Sequence, residues 1–332
     1  MEGEKKRQKS KICTRELWPE NLGQKFQDAL ESPVLENLSI IIPIFNGKHV
    51  LETALEILGR DAIEAEIICV DGGSTDGALE LAREYAQTRA SVRLLEVSNH
   101  GWAHASNRGF EIATRPIVLT MNSDLFPTRQ ALTSMTQRLL EHPEVGAVGP
   151  VINNPDGTRQ WGFGTLYKPN WIRIAQPTRT NILHGACLMT RRDVLEKMGG
   201  FDENFFFYNE EFDWCWRAGS AGYQLEILPE PVTHVEGAST GKRNPKIQIE
   251  QNRGSLYLLQ KHFGGPLLEC SRRFFQLLGW AGRYLDPRPE FKTAWTQIET
   301  MAKAGEYIQN APFLLSGRGE VKFETRGEAR SR

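Results

Sequence analysis

Two acidic residues in this chain stand directly after apolar, strand-like runs, where they could bind a ligand. The first, Asp71, follows the run EIICV and precedes Gly72 and Gly73. A carboxylate at a strand end can accept hydrogen bonds from a base or a ribose, and glycines let a ligand approach the backbone closely. Asp71 therefore predicts a nucleotide contact, whereas the segment from Ser74 to Gly77 is typical of a turn that caps the next helix.

The second is Asp124, which ends the triplet Asn122-Ser123-Asp124 after the run PIVLTM. Its oxygens suit a Mg2+ or Mn2+ ion that bridges a diphosphate. A strand-end turn, in which Asp124 caps the following element, explains the same three residues. His234, in EPVTHVEG, is either a further metal ligand beside Asp124 or an ordinary buried histidine.

A further group of acids lies among aromatic residues. Glu210, Glu211 and Asp213 follow a run of phenylalanines, and Arg217 comes shortly after them. A carboxylate between aromatic walls suits a general base, because partial desolvation raises its pKa towards the operating pH. On a helix, Glu210 and Asp213 share a face, so that Arg217 can hold one acid while another reaches a substrate. A helix N-terminus with acids that complement its dipole is the structural alternative.

Two other kinds of phosphate site are disfavoured. No Gly-x-Gly-x-x-Gly follows the first strand-like run. Gly241-Lys242 lacks both the upstream glycine and the following Ser or Thr of a phosphate loop. A dehydrogenase or a P-loop nucleotide hydrolase is therefore disfavoured by the sequence.

The composition limits the class of protein further. Lys plus Arg (40) nearly balances Asp plus Glu (41) among 332 residues, so the net charge of -1 provides no field that attracts nucleic acid. The five cysteines are scattered without a Cys-x-x-Cys pair, which argues against a disulfide framework or a zinc site. No apolar run reaches the roughly 18 residues of a membrane span, and the N-terminus lacks a signal peptide. We therefore expect a cytoplasmic protein.

Alternating strand and helix patterns position these acids. Residues 1–36 predict a charged tail with an accessory helix, and the strand-like runs begin at Leu38. Strand, loop and helix then repeat, as in LSIIIPIF followed by HVLETALEILGR. The repeat predicts an α/β fold with a mostly parallel sheet, which binds ligands beyond the carboxyl ends of its strands. Residues 37–240 form the expected catalytic domain, and residues 241–332 a helical extension with a flexible end.

Several short motifs occur in order along the chain. They are Pro43-x-Phe45-Asn46, Val70-Asp71-Gly72-Gly73-Ser74-Thr75-Asp76-Gly77, Asn99-x-Gly101-Trp102, Asn107-Arg108-Gly109, Asn122-Ser123-Asp124, His184-Gly185-Ala186, Gly199-Gly200-Phe201-Asp202-Glu203 and Gly222-Tyr223. Their order resembles the family 2 glycosyltransferases, with Gly72 where that family often has Asn and Ser123 where it usually has Pro. Within the family, the chain is similar to bacterial rhamnosyltransferase-like enzymes of surface polysaccharide synthesis. The resemblance implies the GT-A fold, a nucleotide-binding sheet flanked by helices.

The resemblance also implies a role for each matching residue. Glu211 takes the place of the family's catalytic base, an Asp, so the added methylene shifts the carboxylate by roughly 1 Å. Glu210 and Asp213 therefore stay open as rivals. Asp124 would bind Mg2+ or Mn2+ on the diphosphate, and His234 would complete that shell. The implied donor-binding residues are Pro43, Phe45, Asn46, Asp71, Gly101, Asn107, Arg108, Asn122 and Ser123.

The implied activity is an inverting transfer of a hexose or deoxyhexose from a UDP-, dTDP- or GDP-linked donor to a hydroxyl of a saccharide or lipid-linked acceptor. A carboxylate takes the proton of that hydroxyl, which attacks the anomeric carbon. Because Ser123 and Glu211 stand where the family differs, a nucleotide-sugar-binding protein that has lost transfer is an alternative. A nucleotidyltransferase, which would release pyrophosphate from a nucleoside triphosphate, is another.

Two segments bear on the acceptor, which the sequence leaves open. The loop over residues 150–183 contains Trp161, Tyr167 and Trp171, which could stack on a sugar or simply pack. Further on, the basic and aromatic run RRFFQLLGWAGRY predicts a helix. That helix could lie on the inner face of the membrane, pack into the core or form a homodimer.

Overall fold

The computed structural model describes residues 33–160, 174–235, 237, 244–305 and 307, and the two short strands Phe313–Leu315 and Val321–Phe323. Nearly all of the tail and accessory helix expected over residues 1–36 lies outside the described residues. The same is true of Trp161, Tyr167 and Trp171. The described part opens with a 3-10 turn, Val34–Asn37, which leads into the first strand.

The first half of the chain forms parallel strands that are covered by helices on both faces. The strands are β1 (Leu38–Ile44), β2 (Glu66–Asp71), β3 (Val92–Glu96) and β4 (Ile117–Met121), in the order β3-β2-β1-β4. The helices between them are α1 (Lys48–Asp61), α2 (Ala78–Thr88) and α3 (Trp102–Ile112). In β1, Ile40 and Ile42 pack into one apolar cluster and Ile41 into another. Since side chains alternate across a strand, burial of both faces explains the uninterrupted apolar run.

The second half of the sheet is mixed. Its elements are β5 (Leu125–Phe126), α4 (Arg129–Glu141), β6 (Val145–Asn153), β7 (Thr178–Thr180), β8 (Cys187–Arg191), α5 (Arg192–Met198), α6 (Glu210–Ser220) and β9 (Gln224–His234). The full order is β3-β2-β1-β4-β8-β6-β9-β5, with β7 beside β9. Strand β8 lies antiparallel between β4 and β6, while β9 runs parallel to β6. The predicted α/β class with flanking helices is confirmed.

Two antiparallel pairings bring distant segments to the end of β4. Because β8 is antiparallel to β4, the residues before β8 adjoin those after β4, and the Asn122 amide donates to the Ala186 carbonyl at 3.0 Å. Strand β5 pairs with β9 so that Leu125 lies opposite His234. The sheet topology therefore places His234 next to Asp124.

The C-terminal region is helical, as predicted, and ends in two short strands. Its helices are α7 (Pro245–His262), α8 (Gly265–Leu285) and α9 (Pro289–Ala304). Helices α8 and α9 pack closely, since a Cβ on Gly282 would lie 2.3 Å from the Trp295 ring. Strands β10 (Phe313–Leu315) and β11 (Val321–Phe323) form an antiparallel pair. Among the described helices, none is both long and apolar enough to span a membrane.

Candidate active site

A pocket opens at the carboxyl ends of the parallel strands. Its walls come from the ends of β1, β2 and β4 and the loop after β3, and it is closed by the loop before α6 and the first turns of α7. The lining residues are Pro43, Ile44, Phe45, Gly72, Val97, Ser98, Asn99, Gly101, Trp102, Ala105, Asn122, Ser123, Asp124, Phe206, Phe207, Lys246, Ile247 and Glu250. The expected donor-binding residues Pro43, Phe45, Gly101, Asn122 and Ser123 are among them, with the candidate metal ligand Asp124.

Asp71 and Asn46 hold the turns that form one wall of this pocket. The Asp71 carboxylate is 1% exposed and accepts hydrogen bonds from the Ser74 amide at 2.9 Å and the Ser74 hydroxyl at 2.5 Å. The Asn46 side chain accepts from the Thr75 amide at 2.8 Å. These bonds fix the backbone at Gly72, which lines the pocket, whereas Asp71 and Asn46 do not. Direct donor contact by either residue stays a prediction.

Asp76 joins the two helices that follow these turns. Its carboxylate accepts hydrogen bonds from the Gly47 and Lys48 amides, at 2.6 and 3.0 Å, at the start of α1. It also accepts one from the Ala78 amide at 3.1 Å, at the start of α2. The segment after Asp71 therefore caps the next helix, as the sequence predicted.

Gly101 and Trp102 build the opposite wall. Gly101 has a φ of 97°, and a Cβ there would lie 2.2 Å from the Phe206 carbonyl oxygen, so only glycine fits. The Trp102 amide donates to that same oxygen at 2.8 Å. The Trp102 indole Nε1 donates to the Asn122 side chain at 3.1 Å. The loop before α6 is thereby fastened to α3, and Asn122 is held in place at the pocket.

Asn107 and Arg108 contact another loop instead of the pocket. The Asn107 amide group donates to the Phe201 carbonyl and accepts from the Phe201 amide, each at 2.9 Å. Asn107 also donates to Glu203 at 2.9 Å, and Arg108 pairs with Glu203 at 3.1 Å. A Cβ on Gly200 would lie 2.2 Å from Asn107 Oδ1. The Asn107-Arg108-Gly109 motif therefore binds the motif that runs from Gly199 to Glu203. Donor contact by Asn107 and Arg108 stays a prediction.

Asp124 and His234 form what we call the candidate metal pair. Both side chains are buried, and His234 Nε2 lies 3.1 Å from Asp124 Oδ1. On the other side of the ring, Nδ1 lies 2.8 Å from Gln160 Oε1. The Gln160 amide nitrogen donates to the His234 carbonyl at 2.7 Å and to Asn154 at 3.0 Å. These two acceptors fix the orientation of the amide, so its oxygen must face the ring.

This orientation decides which ring nitrogen carries the proton. Since Gln160 Oε1 can only accept, His234 Nδ1 donates to it, and the neutral ring presents the bare Nε2 lone pair to the Asp124 carboxylate. Asn122 Nδ2 lies 3.4 Å from the same Nε2 and can donate to it, whereas the two acceptors Nε2 and Asp124 Oδ1 need a shared proton or a cation between them. A carboxylate suits Mg2+ or Mn2+, and imidazole is a frequent metal ligand, so the pair fits a divalent cation.

The pair would not complete a coordination shell alone. Within the described ranges, no group of three or more His, Cys, Asp or Glu side chains is placed to hold a metal. Magnesium and manganese commonly take substrate phosphates and waters as their remaining ligands. Asp124 and His234 would therefore share the ion with a donor diphosphate.

Asp213 differs from the other two acids of α6 because two cations and a histidine contact it. It is 0% exposed. The nearest atoms of Arg217, Lys261 and His262 lie 2.8, 2.6 and 2.8 Å from its oxygens. Both oxygens are engaged, and the contacts tie α6 to the end of α7. The geometry therefore favours Glu210 or Glu211 over Asp213 as a base.

Glu210 and Glu211 begin α6 directly after two left-handed residues, Tyr208 and Asn209, with φ of 72° and 75°. Each glutamate has a buried Oε2 that lacks a hydrogen-bond partner in the described part of the chain. Burial raises the pKa of Glu211 to about 7. Burial and the neighbouring Glu211 raise the pKa of Glu210 well above its ordinary value. A carboxyl that titrates near neutral pH is suited to general-base chemistry.

Glu211 faces the segment before β8. A Cβ on Gly185 would lie 3.2 Å from the Glu211 carboxyl carbon. The preceding His184 ring stands edge-on to His234, with ring centroids 6.0 Å apart. Burial and His234 lower the pKa of His184 to about 4, so its ring is neutral at ordinary pH. Consecutive residues therefore connect Glu211 with the candidate metal pair.

Comparison with known proteins identifies the family. The profile described as Glycosyl transferase family 2 matches residues 39–199. An N-acetylglucosaminyl-diphospho-decaprenol L-rhamnosyltransferase from Mycobacterium tuberculosis is 30% identical over 236 residues, which are 60% of this chain and 76% of the relative. The uncharacterized glycosyltransferase YibD of Escherichia coli is 33% identical over 235 residues, which are 65% of this chain and 67% of that protein. This chain belongs to glycosyltransferase family 2.

Solved structures share the fold of this glycosyltransferase. Mannosyltransferase PcManGT from Pyrobaculum calidifontis, in complex with GDP-Man and Mn2+, has a TM-score of 0.53 and 24% identity, covering 86% of this chain and 83% of that one. The 1-349 segment of S. aureus TarS, in complex with UDP-GlcNAc, has a TM-score of 0.52 and 15% identity, covering 88% and 97%. At these identities the likeness shows the fold alone, which is the predicted GT-A fold.

The sequence did not single out Gln160, Lys246 or Glu250 of the glycosyltransferase. Gln160 follows β6 and reaches His234 only because β6 and β9 pair. Lys246 and Glu250 enter the pocket from α7, which lies beyond the family motifs. Glu250 is 2% exposed and accepts from Arg253 Nε at 2.7 Å. Lys246 and Glu250 are spaced to share one helix face, which could have indicated a site. The same spacing equally suits a solvent-exposed ion pair.

Proposed function

We propose that this family 2 glycosyltransferase is an inverting enzyme that moves a hexose or deoxyhexose from a nucleoside diphosphate donor to an acceptor hydroxyl. The observation that carries the proposal is the pair of consecutive residues His184 and Gly185, which contact His234 and Glu211. They bring the candidate metal pair and a carboxyl with a pKa of about 7 together. A direct displacement requires both a diphosphate-binding centre and a base.

In this mechanism Glu211 takes the proton of the acceptor hydroxyl as its oxygen forms a bond to the anomeric carbon. The bond from that carbon to the diphosphate breaks in the same step, and the nucleoside diphosphate leaves. Asp124 and His234 would hold Mg2+ or Mn2+, which when bound would supply positive charge to the diphosphate. Asn122, held by the Trp102 indole, and Ser123 line the pocket beside Asp124.

Relatives support the donor and acceptor classes. The Mycobacterium tuberculosis relative is named for a diphospho-decaprenol-linked acceptor, and the complexes of PcManGT and TarS hold GDP-Man and UDP-GlcNAc. We infer a UDP-, dTDP- or GDP-linked donor and a saccharide or lipid-linked acceptor. Polysaccharide or glycoconjugate synthesis is the corresponding process.

A thermal-shift screen of UDP, GDP and dTDP with Mn2+ or Mg2+ tests the donor site. A nucleotide present at 100 times its Kd stabilises the folded state by about 2.7 kcal/mol. One nucleotide should raise the Tm, and EDTA should remove the shift. If no nucleotide changes the Tm with either metal, the donor site is wrongly assigned.

The exposed face of α8 supports contact with the inner face of the membrane. Leu277, Trp280 and Tyr284 are 63%, 51% and 64% exposed. The Arg273 side chain, on the same helix, is 76% exposed. Apolar and aromatic groups beside arginine suit the surface of an anionic bilayer. In flotation with phosphatidylserine vesicles, the wild type should float with the vesicles and Trp280→Glu should not. If the wild type does not float but sediments as a dimer, the exposed face of α8 forms a homodimer contact instead.

A further inference from the structure

A second groove lies between β7, α6 and the end of α7. We call it the α6 groove and define it by Ile182, Phe212, Trp216, Tyr223, Leu258 and Phe263. Its volume of about 820 Å3 falls in the range of about 300–1,000 Å3 that is usual for small-molecule sites. The groove shares none of its lining residues with the pocket at the carboxyl ends of the parallel strands, which we call the donor pocket after its proposed role.

The aromatic side chains of the groove are unusually exposed for their size. Trp216 is 48% exposed and Phe263 is 44% exposed. Their rings contact each other edge to face, with centroids 4.8 Å apart. Adjoining exposed aromatic groups in a concave surface indicate a binding site more often than isolated exposed residues do. The groove therefore offers water-exposed apolar surface to a ligand.

One end of the groove lies next to the candidate base. Cys215, one helical turn after Glu211, lines the groove, and its Sγ accepts a hydrogen bond from the Leu183 amide at 3.4 Å. Leu183 follows Ile182 of the groove and precedes the His184-Gly185 segment. Since Gly185 packs against the Glu211 carboxyl and Phe212 of the groove directly follows Glu211, this wall of the groove adjoins the candidate base.

The charge of the groove favours an anionic amphiphile over a neutral sugar. Among the described residues that line it, there is no carboxylate, and the exposed Arg179 supplies a positive charge. Phe263 leads within a few residues to Leu267 at the start of α8, which is 50% exposed. The apolar surface therefore continues from the groove towards the exposed face of α8.

We propose, on the basis of the lipid-linked acceptor in the proposed function, that the α6 groove binds the hydrocarbon chain of that acceptor. The first units of the chain lie on Trp216 and Phe263, and the phosphate group lies towards Arg179. The hydroxyl that receives the sugar then lies at Glu211. Burial of a few methylene groups provides affinity that a water-soluble acceptor lacks.

Gly219 allows the groove to be blocked without disturbing the protein. It lines the groove on α6, and a Cβ there would meet no atom within 4 Å. Gly219→Leu therefore fills the groove with a side chain. Ala221→Leu is the matched control, because Ala221 is exposed at the end of the same helix and does not line the groove.

Equilibrium dialysis of the full chain with farnesyl diphosphate and inorganic diphosphate, both in EDTA, tests the proposal. EDTA keeps divalent cations from attaching diphosphate to the candidate metal pair. The wild type and Ala221→Leu should bind farnesyl diphosphate at least about tenfold more tightly than inorganic diphosphate, and Gly219→Leu should lose that margin. Equal affinity of the wild type for the two probes, or equal behaviour of the two variants, overturns the proposal. Sugar transfer is not needed for this readout, so failure of the proposed function would appear separately as absent transfer.

Discussion

Replacing Glu211 with Gln tests the assignment of the base. Glu211→Gln keeps the length of the side chain and its packing against Gly185, but it removes the ionisable carboxyl. Loss of a general base lowers the rate by about 10²–10⁴, which corresponds to about 3–5 kcal/mol of transition-state stabilisation. We expect kcat to fall by this factor. The KM for the donor should change little, because Glu211 does not line the donor pocket.

The pH profile of the wild type supplies a second readout. With a pKa of about 7 for Glu211, about a tenth of the carboxyl is ionised near pH 6 and about nine tenths near pH 8. Since the base must be ionised, kcat should rise about tenfold between these pH values. Initial rates at saturating donor, followed by release of the nucleoside diphosphate, measure this rise. Glu211→Gln should show no such rise in its residual rate.

Glu210→Gln is the matched control for both measurements. Glu210 begins the same helical turn and is buried, but Glu211 is the residue that packs against Gly185. Glu210→Gln should retain the rise in kcat with pH. If Glu211→Gln keeps the wild-type rate and pH profile while Glu210→Gln loses activity, the contact with Gly185 does not mark the base and the reasoning is refuted.

Three further substitutions test other contacts. Gln160→Leu removes the acceptor for His234 Nδ1 and should weaken Mn2+ binding about 10–100-fold in titrations followed by nucleotide thermal shift; unchanged affinity would contradict the orienting role of Gln160. Asp213→Asn leaves the Arg217 and Lys261 cations against a buried neutral side chain and should cost about 3 kcal/mol in urea unfolding. Glu210 has a pKa raised above its unfolded value of 4.5, so the folded state loses stability as pH rises above that value. Thermal unfolding should therefore show Glu210→Gln to be more stable than the wild type near neutral pH, with little difference near pH 4.

Strands β1, β2 and β4 were predictable because they are buried on both faces. The apolar runs of β1 and β4 carry that signal directly, and every residue of both strands is buried. The run CLMTR of β8 is equally buried. The residue types of β8 suit a parallel strand as well as an antiparallel one. The direction of the strand depends on the end of the sheet at which the preceding segment of the chain enters it. The sequence therefore predicted the class of the fold but not this insertion.

The site was predictable where residue type and position at a strand end suffice. Asp124 belongs to this group, because a carboxylate at the end of β4 must reach the pocket side of the sheet. The sequence could not show in the same way which of Glu211 and Asp213 is better placed to act as the base. The contacts that disfavour Asp213 as the base come from Lys261 and His262, which are distant in sequence and approach it only when α7 packs on α6. Spacing on one helix cannot reveal a partner from another element.

The helical extension is physically part of the candidate donor pocket, although the sequence placed a boundary before it. Glu250 of α7 accepts a hydrogen bond from the Phe206 amide at 3.2 Å, and the Phe206 carbonyl accepts one from the Trp102 amide at 2.8 Å. The Trp102 indole in turn holds Asn122, beside Asp124. Docking of α7 therefore sets the position of the loop that closes the pocket and, through it, the residues at the end of β4. A substitution that detaches α7 should consequently impair donor binding even where it leaves every residue of the family motifs intact.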